Sequence, residues 1–160
     1  MQATDQAAGD LAVQLFNRMG QINAGLAAQI GPEVERGSGL SAKAHELLTL
    51  LDCPTSRQRQ LSQLAVSLLM SPSGLSRLTD RLQHDGLVER HSCPSDHRGM
   101  HVVLTPAGRA RLNQADRVRA RALLELLPDL TATDLQSIAA ALDRIGEALH
   151  PPAPHPQAAP

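Results

Sequence analysis

Over residues 9–30 apolar side chains recur at steps of three and four (Leu11, Leu15, Met19, Ile22, Leu26, Ile30), the period of a helix with one apolar face. Gly31-Pro32 is expected to end that helix, and Gly37-Ser38-Gly39 reads as a loop. Ser41 then stands as an N-cap for a helix running to Asp52, with Ala44, Leu47, Leu48 and Leu51 facing inward and Pro54 closing it. Leu61, Leu64, Ala65 and Leu68 have the spacing of a short helix, and a turn at Leu69-Met70 leads to Ser71-Pro72. There a capping hydroxyl precedes a proline at the first helical position, where its missing N–H costs nothing. The helix that follows, 72–85, carries Leu75, Leu78 and Leu82 as its buried stripe and stops at Asp85-Gly86.

Beyond residue 86 the period changes to two. Leu87-Val88-Glu89-Arg90-His91 alternates like a strand, Met100 to Leu104 reads as its partner, and the polar segment 92–99 between them is the turn. Thr105-Pro106 repeats the hydroxyl–proline start and opens a helix over 106–127. Thr131 and Asp134 form a capping box for a last helix, 131–149, where Leu135, Ile138, Leu142, Ile145 and Leu149 follow a coiled-coil-like stripe. The Pro/Ala-rich tail, 150–160, has nothing to bury and is expected to be disordered. The pattern predicts a mainly α chain with a small β-hairpin: a winged helix-turn-helix over 41–105, with helices on either side of it.

Composition narrows the chemistry. Phe16 is the sole aromatic residue, so the core is aliphatic and base stacking on aromatic platforms is excluded. No apolar run approaches the length of a membrane span, and the polar N-terminus lacks the form of a secretory signal. Cys53 and Cys93 fit neither a disulfide framework nor a metal framework, which points to a reduced, cytoplasmic protein without a cofactor. There is no glycine-rich phosphate loop, nucleophile elbow or HExxH helix, so an enzyme is not expected.

The formal net charge of −1 conceals a strong segregation. Residues 55–121 carry eleven arginines against five acidic side chains, while 1–54 and 122–160 are each net acidic. A basic middle between acidic ends presents a local field to phosphates. On the outer face of 72–85, Ser71, Ser73, Gly74 and Ser76 are small enough for the backbone to approach base edges, and Arg77 and Arg81 reach bases or phosphates. Arg98, in the turn of the hairpin, is placed to enter a minor groove. Two such helices alone also fit an ordinary helical hairpin, and Arg98 with Asp96 also fits a turn pair with no ligand.

The run Ser76-Arg77-Leu78-Thr79-Asp80-Arg81-Leu82, then Asp85-Gly86-Leu87-Val88-Glu89-Arg90, Asp96-His97-Arg98 and Leu104-Thr105-Pro106-Ala107-Gly108, resembles the MarR family of bacterial transcriptional regulators. The resemblance implies a homodimer whose terminal segments, 1–32 and 106–149, form a helical dimerisation lobe. It also implies a double-stranded, pseudo-palindromic DNA operator as partner, with helix 72–85 in the major groove and the wing, 92–99, in the minor groove. Arg98 would supply minor-groove affinity, and Asp96 would stabilise the wing by pairing with an arginine, Arg90 foremost. Many members carry arginine where this chain has His97, which makes the wing poorer in fixed charge. The resemblance further implies release from DNA by a small-molecule effector, which the sequence does not identify.

His45, near where an effector cleft is expected, reads more simply as a core or solvated histidine. A thiol response at Cys93 and metal sensing by the chain's seven histidines are alternatives, His91 and His101 being placed to face each other across the hairpin. A winged helix that binds a protein partner is the other competing class.

Overall fold

The structure is a computed structural model that describes residues 2–53, 59–93 and 96–149, with side chains for all of these except 2–5, 59, 92–93 and 96–99. Among the described residues the elements run α1 (Gln2–Ser38), α2 (Ala42–Asp52), β1 (Arg59–Gln60), α3 (Leu61–Ser67), α4 (Pro72–His84), β2 (Val88–Cys93), β3 (Asp96–Leu104), α5 (Pro106–Leu126) and α6 (Ala132–Leu149). The chain is mainly helical with a small hairpin, as the pattern implies. It divides into two compact units between Leu123 and Leu124. Pro54 and the tail from residue 150 lie outside the described residues.

In the first unit one aliphatic core joins the end of α1 to α2, α3, α4, the sheet and α5. Leu47, Leu48, Leu64, Leu75, Val88 and Val102 are among its fully buried members. The caps read from sequence are formed: Ser41 accepts from the Ala44 N–H, and Ser71 accepts from the Gly74 N–H with Pro72 behind it. Thr105 Oγ1 accepts from the Gly108 N–H at 2.9 Å and donates to the Gly86 carbonyl at 2.7 Å, tying the start of α5 to the end of α4.

Three features depart from the sequence pattern. Gly31-Pro32 does not end α1, which continues to Ser38. Pro32 removes one backbone bond and crowds the preceding turn, at a cost of about 3 kcal/mol. Ile30 and Val34, on either side, are buried, and each such burial contributes about 1.5–3 kcal/mol, enough to offset it. The helix stops instead at Gly39, which takes the left-handed conformation (φ +72°) and donates to the Glu35 carbonyl at 2.7 Å. Gly37 and Ser38 are therefore helical, not loop.

The hairpin is also longer than its alternation indicates and gains a third strand. Pairing of β2 with β3 continues through Ser92↔Met100 to Cys93↔Asp96, with an irregularity between Ser92 and Cys93 that absorbs the uneven lengths. The short β1 pairs with the other edge of β3, giving the antiparallel order β1-β3-β2.

The third departure is Leu69, in the turn between α3 and α4. It has φ +51° and is 92% exposed, a left-handed conformation on an apolar side chain that buries almost nothing. A left-handed L-residue costs about 1–2 kcal/mol that glycine avoids. Leu69→Gly is therefore expected to stabilise the chain by about 1 kcal/mol, checked by the urea midpoint at fixed protein concentration.

The second unit consists of the end of α5 and α6. Thr131 and Asp134 form the capping box: the carboxylate accepts from the Thr131 N–H at 2.9 Å and its hydroxyl at 2.6 Å, and the Asp134 N–H donates back at 3.2 Å. These hydrogen bonds, the hydroxyl's first, hold the exposed Asp134 carboxyl below its ordinary value. The support that this cap gives α6 is present above the ordinary carboxylate range and is lost as pH falls through the lowered value. None of the residues of α6 is buried, and its stripe of Leu135, Ile138, Leu142, Ile145 and Leu149 is exposed.

Candidate nucleic-acid interface

The first unit presents α4 with its leucines inward and its polar residues outward. Leu75, Leu78 and Leu82 are buried, and so is Thr79, whose hydroxyl is satisfied by the Leu75 carbonyl at 2.8 Å. Ser71, Ser73, Arg77 and Arg81 are exposed, and Gly74 and Ser76 are half-buried beside them. All six sequence-predicted residues on this element thus lie along one helix, with both arginines on its exposed side.

The N-terminus of α4 is chemically suited to an anion. Its first turn has no acidic side chain, and it carries the positive end of the helix dipole. The Ser71 and Ser73 hydroxyls stand 3.3 Å apart at this end. Arg77 reaches back to the Ser73 carbonyl through Nε at 3.4 Å, a contact long enough to release the guanidinium to a phosphate or base edge.

Arg90 fixes the hairpin against this helix. It leaves β2 on the face shared with buried Val88, donates from Nη1 to Asp80 Oδ1 at 2.6 Å and from Nη2 to the Ser76 carbonyl at 3.1 Å. Sequence reasoning names Arg90 as a wing-stabilising residue but misses Asp80, which lies ten positions away on another element and has no spacing signal to betray it. The expected partner Asp96, and Arg98 with it, have described backbones in β3 but side chains outside the described ones. Bonds to a charged group contribute about 1.5–3 kcal/mol, and the exposure of Asp80 reduces this. Arg90→Ala is expected to cost about 1–2 kcal/mol in urea unfolding. Arg90→Lys recovers only part of it, because an ammonium lacks the fork that serves both acceptors.

Behind α4, the end of α1 is held by α5. Arg111 Nη1 donates to the Ser38 carbonyl at 2.9 Å and Gln114 Nε2 to the Gly37 carbonyl at 2.8 Å, satisfying the last carbonyls of α1. A cavity of about 440 Å³ opens beside them, lined by Glu35, Gly39, Leu78, Arg81, Asp85 and Arg111 among others. Arg81 thus faces both this cavity and the outer surface of α4. His45 is not part of it: the side chain is buried on α2, with Nε2 2.8 Å from Asp116 Oδ1 on α5, a structural histidine. Among the described residues no three metal-ligating side chains converge, and no helix is long and apolar enough to cross a membrane.

With this geometry in view, the likenesses to known proteins are specific. Residues 39–99 match the MarR family model. The HTH-type transcriptional regulator YdgJ of Bacillus subtilis is 28% identical over 116 residues, covering 72% of this chain and 70% of that protein. Among solved structures, the MarR-family regulator AbsC of Streptomyces coelicolor is 27% identical, with 88% of this chain and 95% of that one aligned at a TM-score of 0.62. Wild-type MarR of E. coli is 25% identical over 82% of this chain and 95% of that one, at a TM-score of 0.70. Sco3205 of Streptomyces coelicolor, solved in complex with DNA, is 25% identical over 87% and 88% of the two chains at a TM-score of 0.62.

Proposed function

We propose that the chain is a MarR-family transcriptional regulator, a cytoplasmic homodimer that binds a pseudo-palindromic operator in double-stranded DNA. Its α4 enters the major groove, with Ser71, Ser73, Gly74, Ser76, Arg77 and Arg81 at the contact, and the wing reaches the minor groove through Arg98. The observation that carries this reading is the outward row on α4, capped by Ser71 and held to the hairpin by Arg90. One side-chain clamp thus sets the angle between the two parts that have to meet adjacent grooves.

Dimerisation draws support from the two terminal stripes. Leu11, Leu15, Phe16 and Ile22 on α1, like the stripe on α6, are exposed in the single chain. Such faces call for a partner, and a second copy of each is the simplest one. The lobes follow: 1–32 with 106–149 for dimerisation, 41–105 for DNA. The regulator acts as a repressor, and a small effector entering the cavity beside Arg81 and Arg111 would compete with DNA for the Arg81 guanidinium.

Retention on random-sequence DNA at falling salt tests the reading. Binding is expected to weaken with a log–log slope of about −0.9 per phosphate neutralised. Absence of retention at low salt favours the protein-interaction module instead. Sequencing the fragments selected by the purified protein then gives the operator.

A further inference from the structure

The outer face of the hairpin carries a histidine pair that the DNA-binding reading leaves unused. His91 on β2 and His101 on β3 are direct cross-strand partners. Val88, Arg90 and Val102 lie on the inward face, so alternation puts Glu89, His91, His101 and Val103 on the other one. Directly opposed residues have their Cβ atoms about 4.5–5.5 Å apart, within the span that two imidazoles close around one ion.

Two further observations concern the ring nitrogens themselves. Glu89 Oε2 lies 3.4 Å from His91 Nε2, which places a carboxylate beside the His91 ring on the same face. His101 Nδ1 is out of contact with solvent, which leaves Nε2 as the nitrogen of that ring for an ion to reach. The two imidazoles thus occupy directly opposed positions on one surface, with a carboxylate beside the first.

We propose that His91 and His101 form a two-imidazole site for a divalent transition-metal ion, with Zn²⁺ its most suitable occupant and Glu89 positioning His91. Imidazole nitrogen suits Zn²⁺, Ni²⁺ and Cu²⁺ and disfavours Mg²⁺ and Ca²⁺. Because no third ligating side chain converges on the pair among the described residues, water fills the remaining positions and the ion exchanges freely. A bridging ion staples β2 to β3 and adds positive charge to the hairpin. On the DNA-binding reading, on which this last step rests, it strengthens association with the operator.

Titration of metal-free full-length protein with ZnCl₂, followed by calorimetry and by the ¹⁵N resonances of the imidazoles, tests the site without DNA. One Zn²⁺ per chain is expected, with shifts at one nitrogen each of His91 and His101. Affinity is expected to fall at least about tenfold in His91→Gln and in His101→Gln, while His84→Gln, on α4, stays at the wild-type value. Glu89→Gln is expected to weaken binding while leaving the same two histidines shifted. Undiminished binding in His91→Gln, or shifts confined to other histidines, would overturn the proposal, as would absence of binding at 100-fold excess over protein, a ratio of about two orders of magnitude. Failure of the protein to bind DNA leaves these outcomes unchanged, so the two readings fail separately.

Discussion

Gly108→Ala is expected to destabilise the chain by about 2–4 kcal/mol, at the upper end for a single added methyl group. A Cβ at position 108 would stand 2.0 Å from the Leu87 carbonyl oxygen and 2.7 Å from Leu104 Cδ1. The leucine side chain has room to turn away, but the carbonyl does not. Leu87 O already accepts from the Thr105 N–H at 3.1 Å, and Leu87 itself is buried in the core. Relief therefore requires α5 to move off the hairpin, which breaks the Thr105 bonds to Gly86 and Leu87. Urea unfolding followed by far-ultraviolet circular dichroism measures the cost. Gly86→Ala is the informative contrast: φ is +70° there but nothing lies within 4 Å of the added atom. It is expected to cost only about 1–2 kcal/mol, from backbone conformation alone. Equal losses at the two sites would mean that α5 accommodates the methyl group and that the close approach is not a constraint.

Ile138→Asp is expected to dissociate the proposed dimer and to lower operator affinity by about a hundredfold or more, since linked half-sites gain at least that much from simultaneous engagement. Within one chain the substitution is mild, because Ile138 is 47% exposed and a carboxylate there stays hydrated. In the proposed seam between two copies of the chain it becomes a buried, unpaired charge, which is strongly unfavourable. Sedimentation at micromolar concentration, with circular dichroism to show that α6 persists, separates these effects. A variant that remains dimeric and binds DNA normally would place the dimer interface elsewhere. A wild-type chain that sediments as a monomer would remove it altogether.

The elements legible in the sequence were those set by local chemistry. Ser41, Ser71-Pro72, Thr105-Pro106 and Thr131 each mark a helix start, because a hydroxyl and a restrained φ act within one turn. The hairpin was legible because Val88, Arg90, Val102 and Leu104 alternate against Glu89, His91, His101 and Val103. What escaped was decided at a distance. Gly31-Pro32 is a valid stop signal, overruled by the burial of Ile30 and Val34 in a core built mostly by other elements. The two residues of β1 have no periodicity, and only the open edge of β3 makes them a strand. Leu69 occupies a left-handed turn position that nothing in its chemistry favours. The outward row on α4 could be read from the leucines behind it, whereas the clamp of Arg90 on Asp80 depends on how hairpin and helix are oriented in space.

The continuity of α1 past Pro32 has a mechanical consequence. A helix of 37 residues is about 55 Å long, uncovered over most of its length and anchored at its far end by Ile30 and Val34. Val34 belongs to the same core as Leu75, Leu78 and Leu82 of α4. Such a rod converts angle into distance: a tilt of about 5° at one end displaces the other by about 5 Å. That exceeds the roughly 3.4 Å between successive base pairs. On the proposed DNA-binding reading, a grip on the exposed end of α1 would therefore shift α4 by more than a base-pair step for such a tilt. Pro32, which leaves the Ala28 carbonyl without its helical donor, puts the most pliable turn of the rod next to its anchored end.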